Sequence, residues 1–236
     1  MRSEIMLYIY AIPAILISLS FHEMSHAYAS YRQGDPTAKR LGRLTMNPLK
    51  HLDPVGTLML IVSMVKGFGF GWAKPVPIDP TYYRNQRRGT IIVSLAGPVS
   101  NLLLAFIFSI PMAYIAIKNG YTPVVAYNTS VAIFGANYSF EAILFNISRF
   151  FYIINIGLAT FNILPVPPLD GSKILTAILP VDLYFKLLRY ERYIGLVFLG
   201  LILVMPGILY TVLTPVKRLF EVILRLVAMP ILGLLT

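Results

Sequence analysis

The stretch that decides the fold is residues 20–29, Ser-Phe-His22-Glu23-Met-Ser-His26-Ala-Tyr-Ala, which lie inside a long apolar segment. Histidines spaced i, i+4 on a helix lie on one face, so His22 and His26 can ligate one zinc ion. Glu23, beside them in the sequence, is placed to act as a general base on a metal-bound water. Ionisable side chains at membrane depth are costly and are usually functional. We therefore expect a metal site here rather than a polar helix face inside a bundle.

The composition around this stretch is that of a membrane protein. Of the 236 residues, 57% are hydrophobic and only 13% are charged, whereas about a quarter of the residues of a soluble domain are charged. We expect a polytopic α-helical membrane protein in contact with the lipid bilayer, and not a secreted, disordered or cytosolic chain. The absence of cysteine excludes disulfides and thiolate metal sites. The net charge of +10 indicates membrane topology and not nucleic-acid binding.

Apolar segments long enough to cross a bilayer, about 20 residues each, recur along the chain. The first ends before Gly34, Asp35 and Pro36, which are residues that stop a helix. The tail after Lys217 is apolar again and is either a last span or an interfacial helix. The predicted spans are residues 5–31, 90–117, 143–164 and 194–213.

The segment between the first two spans has a different character. Residues 33–89 are rich in proline and glycine, and their apolar piece at 57–65 is too short to span comfortably. Lysine and arginine are abundant both in residues 32–56 and in residues 73–89, which indicates that both flanks are cytoplasmic. We therefore expect residues 32–89 on the cytoplasmic side, with a re-entrant loop or a β-hairpin segment between the flanks.

A catalytic zinc ion typically has three protein ligands and one open position. Asp170 is the best candidate for the third ligand, because it lies at the cytoplasmic end of the span that begins near Ile143, at the depth of His22 and His26. Two neutral histidines with Asp170 and Glu23 would also balance the charge of Zn²⁺. Asp35 and Asp53 lie in the first loop and are less favoured. The other acids beyond residue 60 lie in a loop, on the outer side or beside cations, and they are Asp79, Glu141, Asp182, Glu191 and Glu221.

Three other polar or small residues, His51, Gly97 and Asn101, are best explained by a role in stabilising the fold. His51 lies in the turn-rich sequence Asn-Pro-Leu-Lys-His-Leu-Asp-Pro, where we expect a structural hydrogen bond in preference to metal ligation. Gly97 and Asn101 share one helix face at i, i+4, and close helix packing is the preferred explanation.

Four motifs together give the chain a family resemblance. They are His-Glu-Met-Ser-His at 22–26, Gly-Trp-Ala-Lys-Pro-Val-Pro at 71–77, Ala-Gly-Pro at 96–98 with Asn101, and the stretch from Asn162 to Gly171. The pairing of His-Glu-x-x-His with Asn-x-x-Pro-x-Pro-x-Leu-Asp-Gly is highly specific. The chain resembles the site-2 protease family of intramembrane zinc metalloproteases, and most of all its short prokaryotic members without a PDZ or CBS domain.

The resemblance implies a single membrane-embedded protease domain over residues 1–236, in a prokaryotic cell membrane. Its catalytic core would have three helices, followed by C-terminal helices at 194–236. The three core helices would be about 4–32, 90–117 and 143–165, with the re-entrant or cytoplasmic segment at 33–89 between the first two.

The resemblance also implies the chemistry. One zinc ion would be ligated by His22, His26 and Asp170, with Glu23 as the catalytic acid and base. Asn162 would act near the reacting carbonyl, as an oxyanion donor, although an asparagine in a membrane helix can equally serve helix–helix contacts. The implied substrate is a transmembrane protein or peptide that is hydrolysed near the cytoplasmic face, and the implied process is regulated intramembrane proteolysis.

Three other functions compete with this interpretation. A membrane metal-ion transporter would need ionisable residues on several helices along a path, and the sequence shows one cluster. A second class of membrane His-Glu-x-x-His protease takes its third ligand from a glutamate on a later helix, but no glutamate here is well placed. A catalytically inactive membrane scaffold would not need Glu23.

A helical substrate hides its peptide bonds, so a protease must hold the cleaved segment extended, and a strand edge can do that. The segment Trp72–Asp79 is the candidate edge, because its prolines disfavour a helix. Pro75 and Pro77 remove donors from one edge only, while Val76 and Ile78 keep their N–H groups on the other. Val76 and Ile78 are therefore predicted to bind substrate, unless the segment is a plain re-entrant turn.

Overall fold

The computed structural model describes residues 2–65, 71–122, 127, 139–175 and 179–235. Its helices are α1 (Arg2–Arg32), α2 (Thr37–Arg40), α3 (Pro54–Val65), α4 (Gln86–Lys118), α5 (Phe140–Asn162), α6 (Val181–Arg189), α7 (Glu191–Val204) and α8 (Pro206–Leu235). Short 3₁₀ helices lie at Pro48–Lys50, Pro80–Tyr82 and Asp170–Ile174. The described residues contain no β-strand, and the prediction of a helical protein is confirmed.

Two helices, α4 and α5, are long and apolar enough to cross a membrane. They pack against each other and against α1, and α8 packs on both of them. Small side chains allow the backbones to approach closely, as is usual between membrane helices. The fully buried alanines of this core are Ala14 and Ala27 in α1, Ala105, Ala113 and Ala116 in α4, and Ala142 and Ala159 in α5.

The predicted span at 194–213 is interrupted. Helix α7 ends at Val204, and α8 begins at Pro206 and continues to Leu235. Met205 lies between them with φ −133° and ψ 60°, because proline has no N–H and disfavours the helical conformation of the residue before it. The apolar tail therefore belongs to α8, whose buried side chains Leu224, Ala228 and Leu232 join the core of α4 and α5.

The segment between α1 and α4 forms neither a span nor a hairpin in the described residues. Helix α3 has 12 residues, which is shorter than the roughly 20 that a span needs. Ladder pairing is limited to one antiparallel bridge, between Leu52 and Ala73, so the β-hairpin alternative is wrong for this part of the chain. Pro75 and Pro77 cannot donate to a ladder, and side chains of other elements bind the backbone of residues 74–79 instead. Re-entry of this segment into the membrane stays a prediction.

Candidate metal centre

Three ligand atoms converge where α1 meets the loop that follows α5. Nε2 of His22 and Nε2 of His26 are 3.0 Å apart, and each is 3.1 Å from Oδ2 of Asp170. Both histidines are buried, and the Asp170 side chain is 23% exposed. This group could hold a metal ion. The structure thus brings together the three residues that the sequence predicts as metal ligands.

The opposite ring nitrogens are bound so that the Nε2 atoms point to this centre. Nδ1 of His22 lies 2.6 Å from Oδ1 of Asn101, and Nδ1 of His26 lies 2.7 Å from the carbonyl oxygen of Val93. A carbonyl oxygen can only accept, so each Nδ1 carries the proton. In the neutral imidazole the other nitrogen then presents its lone pair, and metal-ligating histidines are commonly oriented in this way.

The dimensions of the group fit zinc. Ligand atoms about 2.0–2.1 Å from a tetrahedral zinc ion are separated from each other by about 3.3 Å. The three separations here are 3.0–3.1 Å, so a small outward relaxation is enough. Two imidazoles and one carboxylate form a donor set found in catalytic zinc sites, and such a set leaves a fourth position open.

Helix α4 approaches the two imidazoles at Gly97. A Cβ atom at this position would lie 2.4 Å from Nε2 of His26 and 2.5 Å from Cε1 of His22. Every other residue type would therefore collide with both rings. The close helix packing predicted for Gly97 is present, and the surface against which it packs is the candidate metal centre itself.

Asn101 takes part in a buried hydrogen-bond network in addition to the predicted helix packing. Besides binding His22, its Nδ2 donates to Oδ1 of Asn155 at 2.7 Å. Asn155 in turn donates to Oγ of Ser18 at 2.7 Å and to the carbonyl oxygen of Phe151 at 2.8 Å. Ser18, Asn101 and Asn155 are all buried and come from α1, α4 and α5, so one polar network joins the three core helices to a histidine of the site.

The loop after α5 returns Asp170 to α1. Pro165, Pro167 and Pro168 prevent the helix from continuing, and the chain turns back on the end of α5. A Cβ atom at Gly171 would lie 2.1 Å from the carbonyl oxygen of Ile163, so this tight return requires glycine. The Leu-Asp-Gly sequence thereby fixes the depth at which the carboxylate of Asp170 meets the histidines.

Glu23 accepts a hydrogen bond from the backbone N–H of Val76, with 2.9 Å between Val76 N and Oε2. Val76 is buried among Ala27, Ala38 and Leu44. The structure therefore places the predicted substrate-binding residue Val76 against the predicted general base. The N–H of Val76 is occupied by Glu23, whereas Ile78 has an exposed side chain.

Two predicted residues make local contacts. Nδ2 of Asn162 donates to the carbonyl oxygen of Leu158 at 3.1 Å, one turn back in α5. Nε2 of His51 donates to the carbonyl oxygen of Thr45 at 2.8 Å, which is the structural hydrogen bond expected of it. Sequence reasoning predicts no contact of Arg43 or Asp35 with this segment, because loop contacts have no periodic signal. Both are buried charged residues bound to the segment that carries Val76.

Comparisons with known proteins agree on one family. A model of peptidase family M50 matches residues 10–205. A Bacillus subtilis protein named "Putative zinc metalloprotease YwhC" is 38% identical over 197 residues, which are 81% of this chain and 79% of the relative. No solved structure matches the chain significantly.

Two further relatives carry the same type of name, "Putative zinc metalloprotease Rip2". The one from Mycolicibacterium smegmatis is 30% identical over 170 residues, covering 72% of this chain and 57% of the relative. The one from Mycobacterium tuberculosis strain H37Rv is 27% identical over 199 residues, covering 84% of this chain and 68% of the relative.

Proposed function

The chain belongs to peptidase family M50, the site-2 protease family, and is a zinc metallopeptidase; we propose that it is an endopeptidase that cleaves transmembrane proteins within or near the bilayer, close to the cytoplasmic face. Such an enzyme could act in regulated intramembrane proteolysis. The family assignment favours a peptidase over the metal-ion transporter and the inactive scaffold.

The observation that carries the proposal is the convergence of His22, His26 and Asp170 on one point next to Glu23. We assign these three residues as the ligands of one zinc ion. With neutral histidines, the charges of Asp170 and Glu23 balance Zn²⁺, as a low-dielectric setting favours. The apolar helices α4 and α5 support a site at membrane depth, where a transmembrane substrate can reach it.

Zinc at this position would supply Lewis acidity, which polarises the scissile carbonyl and acidifies water. Glu23 is the general base that removes a proton from the attacking water and then passes it to the leaving amine. One carboxylate oxygen of Glu23 is held by Val76, which leaves the other oxygen to carry the proton. Asn162 stays a candidate oxyanion donor, but its amide would first have to leave the Leu158 carbonyl.

We assign substrate binding to Val76 and Ile78, on the backbone edge of the segment Trp72–Asp79. The N–H of Val76 faces Glu23, so an extended segment that paired with this edge would lie between the edge and the ligand group. Such pairing would expose one peptide bond of a formerly helical substrate to the general base. Val76 keeps its hydrogen bond to Glu23 in this arrangement, so the donor that the edge offers to the substrate is the N–H of Ile78.

The test uses two variants that separate metal binding from chemistry. Glu23→Gln should retain zinc and lose at least about 100-fold in turnover of a single-span test protein, because it removes the base and no ligand. Asp170→Asn should lower both zinc content and turnover. The exposed acid Asp182 provides a control, since Asp182→Asn should change neither quantity. Near-normal turnover by Glu23→Gln, or full zinc content in folded Asp170→Asn, would refute the assignment.

We also propose that the flanks of the segment 33–89 are cytoplasmic, based on their lysines and arginines. The chain has no cysteine, so single cysteines can report the membrane side directly. Cysteines placed at Lys50 and at Arg84 should react with an impermeant thiol reagent from the same side of sealed vesicles. Labelling from opposite sides would mean that the chain crosses the membrane between them.

A further inference from the structure

The backbone of residues 74–79 is irregular, yet it is bound at several points. The N–H of Val76 donates to Glu23, and the N–H of Lys74 donates to the carbonyl oxygen of His51 at 2.8 Å. Because Pro75 and Pro77 flank Val76, the N–H of Val76 is the single donor between residues 75 and 77. The position of this N–H relative to Glu23 therefore depends on the contacts that hold the carbonyl groups of Lys74 and Pro75 in place.

Arg43 fixes those carbonyls. Its guanidinium Nη2 donates to the carbonyl oxygen of Lys74 at 2.7 Å and to that of Pro75 at 3.3 Å. The residue is 8% exposed, its Nε is buried without a hydrogen-bond partner, and no carboxylate of the described residues pairs with it. Burying a cation is costly unless it is hydrogen-bonded, and the side-chain hydrogen bonds of Arg43 run from Nη2 to the two peptide units that precede Val76.

Asp35 binds the other end of the segment. Its Oδ2 accepts the N–H of Asp79 at 2.8 Å and the hydroxyl of Ser30 at 2.7 Å, and its Oδ1 accepts the N–H of Thr37 at 2.8 Å. Burial opposes ionisation of Asp35, but these hydrogen bonds outweigh it and hold the pKa of this carboxyl below its ordinary value. The carboxylate is thus a permanent acceptor near neutral pH.

We propose that Arg43 is a positioning residue for catalysis: by holding the Lys74 and Pro75 carbonyls it presents the N–H of Val76 to Glu23 and so orients the carboxylate of the general base. This rests on the proposed function, in which Glu23 is that base. Among the described residues, Arg43 makes no hydrogen bond or ion pair with the ligand group or with Glu23, and it acts through the peptide backbone. A displacement of about 1 Å in such a contact can reduce turnover by about 100-fold.

The first measurement is hydrogen exchange of the zinc-loaded protein in detergent, which needs no substrate. The readout is the Val76 amide itself, resolved by nuclear magnetic resonance, and its neighbours Pro75 and Pro77 have no N–H. Arg43→Met keeps the length of the side chain but removes its donors, and we expect Val76 to exchange at least tenfold faster. Arg43→Lys keeps a donor and should preserve most of the protection. Arg40→Met, the same change at the exposed arginine that ends α2, should leave the exchange of Val76 unchanged.

The second measurement is turnover of the single-span test protein. Arg43→Met should lower kcat about 10- to 100-fold with little change in KM or zinc content, and Arg43→Lys should recover part of the loss. Because Arg43 acts through Val76, adding Arg43→Met to Val76→Pro should slow the enzyme no further. Unchanged exchange and kcat in folded Arg43→Met, or full additivity in the double variant, would overturn the proposal.

The two proposals fail in different ways. If Glu23→Gln retains turnover, Glu23 is not the base and the proposed function is wrong, whatever Arg43 does. If Glu23→Gln is inactive while Arg43→Met has normal kcat, the role of Glu23 stands and the role of Arg43 is refuted. Should Arg43→Met fail to fold, the kcat of Arg43→Lys decides, because it should lie between the kcat of Arg40→Met and that of Val76→Pro.

Discussion

The two sides of the candidate metal centre are built in different ways. On the helix side, α1, α4 and α5 meet through side chains that bind other side chains, as in the network of Ser18, Asn101 and Asn155. On the opposite side, the irregular segment 73–79 is held by side chains that bind its backbone, with Arg43 and Asp35 as the anchors. The helix side orients the imidazoles, and the segment side contacts Glu23.

This difference suggests that the two sides have different roles. Packed helices place the ligand atoms rigidly, which a metal site needs. An irregular segment can exchange its hydrogen bonds with a bound peptide at lower cost, because no ladder or helix has to be broken. We therefore expect substitutions on the helix side to lower zinc affinity, and substitutions on the segment side to lower turnover while zinc stays bound.

The largest effect is expected at Gly97, on the helix side. Gly97→Ala adds a Cβ atom that would lie within 2.4–2.6 Å of ring atoms of His22 and His26, so the rings or the helix must shift. We expect most of the zinc and nearly all turnover to be lost, as measured by metal analysis and cleavage of the test protein. Gly157→Ala is the matched control, because a Cβ atom there meets nothing within 4 Å. Full zinc content in folded Gly97→Ala would show that the close approach is unimportant.

A smaller effect is expected at Asn101. Asn101→Leu removes the acceptor for Nδ1 of His22 and leaves Oδ1 of Asn155 without its donor. Loss of a residue that orients a metal-ligating histidine typically lowers metal affinity by about 10- to 100-fold. Competition with a zinc chelator should reveal this change even where turnover at saturating zinc is nearly normal. If zinc affinity stayed constant, Asn101 would serve only the helix packing that its sequence position suggests.

The helix side and the segment side also differ in how far the sequence predicts them. The helix side was largely predictable, because apolar periodicity and the spacing of His22 and His26 are local properties, and Asp170 was selected by depth and charge. The role of Asn101 was missed, since a glycine and an asparagine at i, i+4 are equally typical of helix packing. The segment side is predicted poorly. The part of it that the structure describes forms no hairpin, and the sequence gives no sign of the contacts that Arg43 and Asp35 make, because these contacts are specific to one irregular path of the chain.

The smallest effect, and the one that tests the segment side most directly, is expected at Ile78. If the segment presents an edge to an extended substrate, the N–H of Ile78 should pair with that substrate, and among the described residues it has no acceptor of its own. Val76→Pro would be ambiguous, because it also removes the donor to Glu23 and should slow the cleavage of every substrate. Ile78→Pro removes the donor on the edge and leaves the donor to Glu23 in place.

Ile78→Pro should therefore slow cleavage of a stable transmembrane helix severalfold more than cleavage of a matched segment already unwound by glycine and proline. The stable helix depends on the edge to be held extended, whereas the unwound segment is extended beforehand. Zinc content should not change, and Ile78→Val, which keeps the N–H and the β-branched side chain, is the control. If Ile78→Pro slows both substrates equally, or neither, residues 76–78 form a plain turn that orients Glu23 and does not bind the substrate.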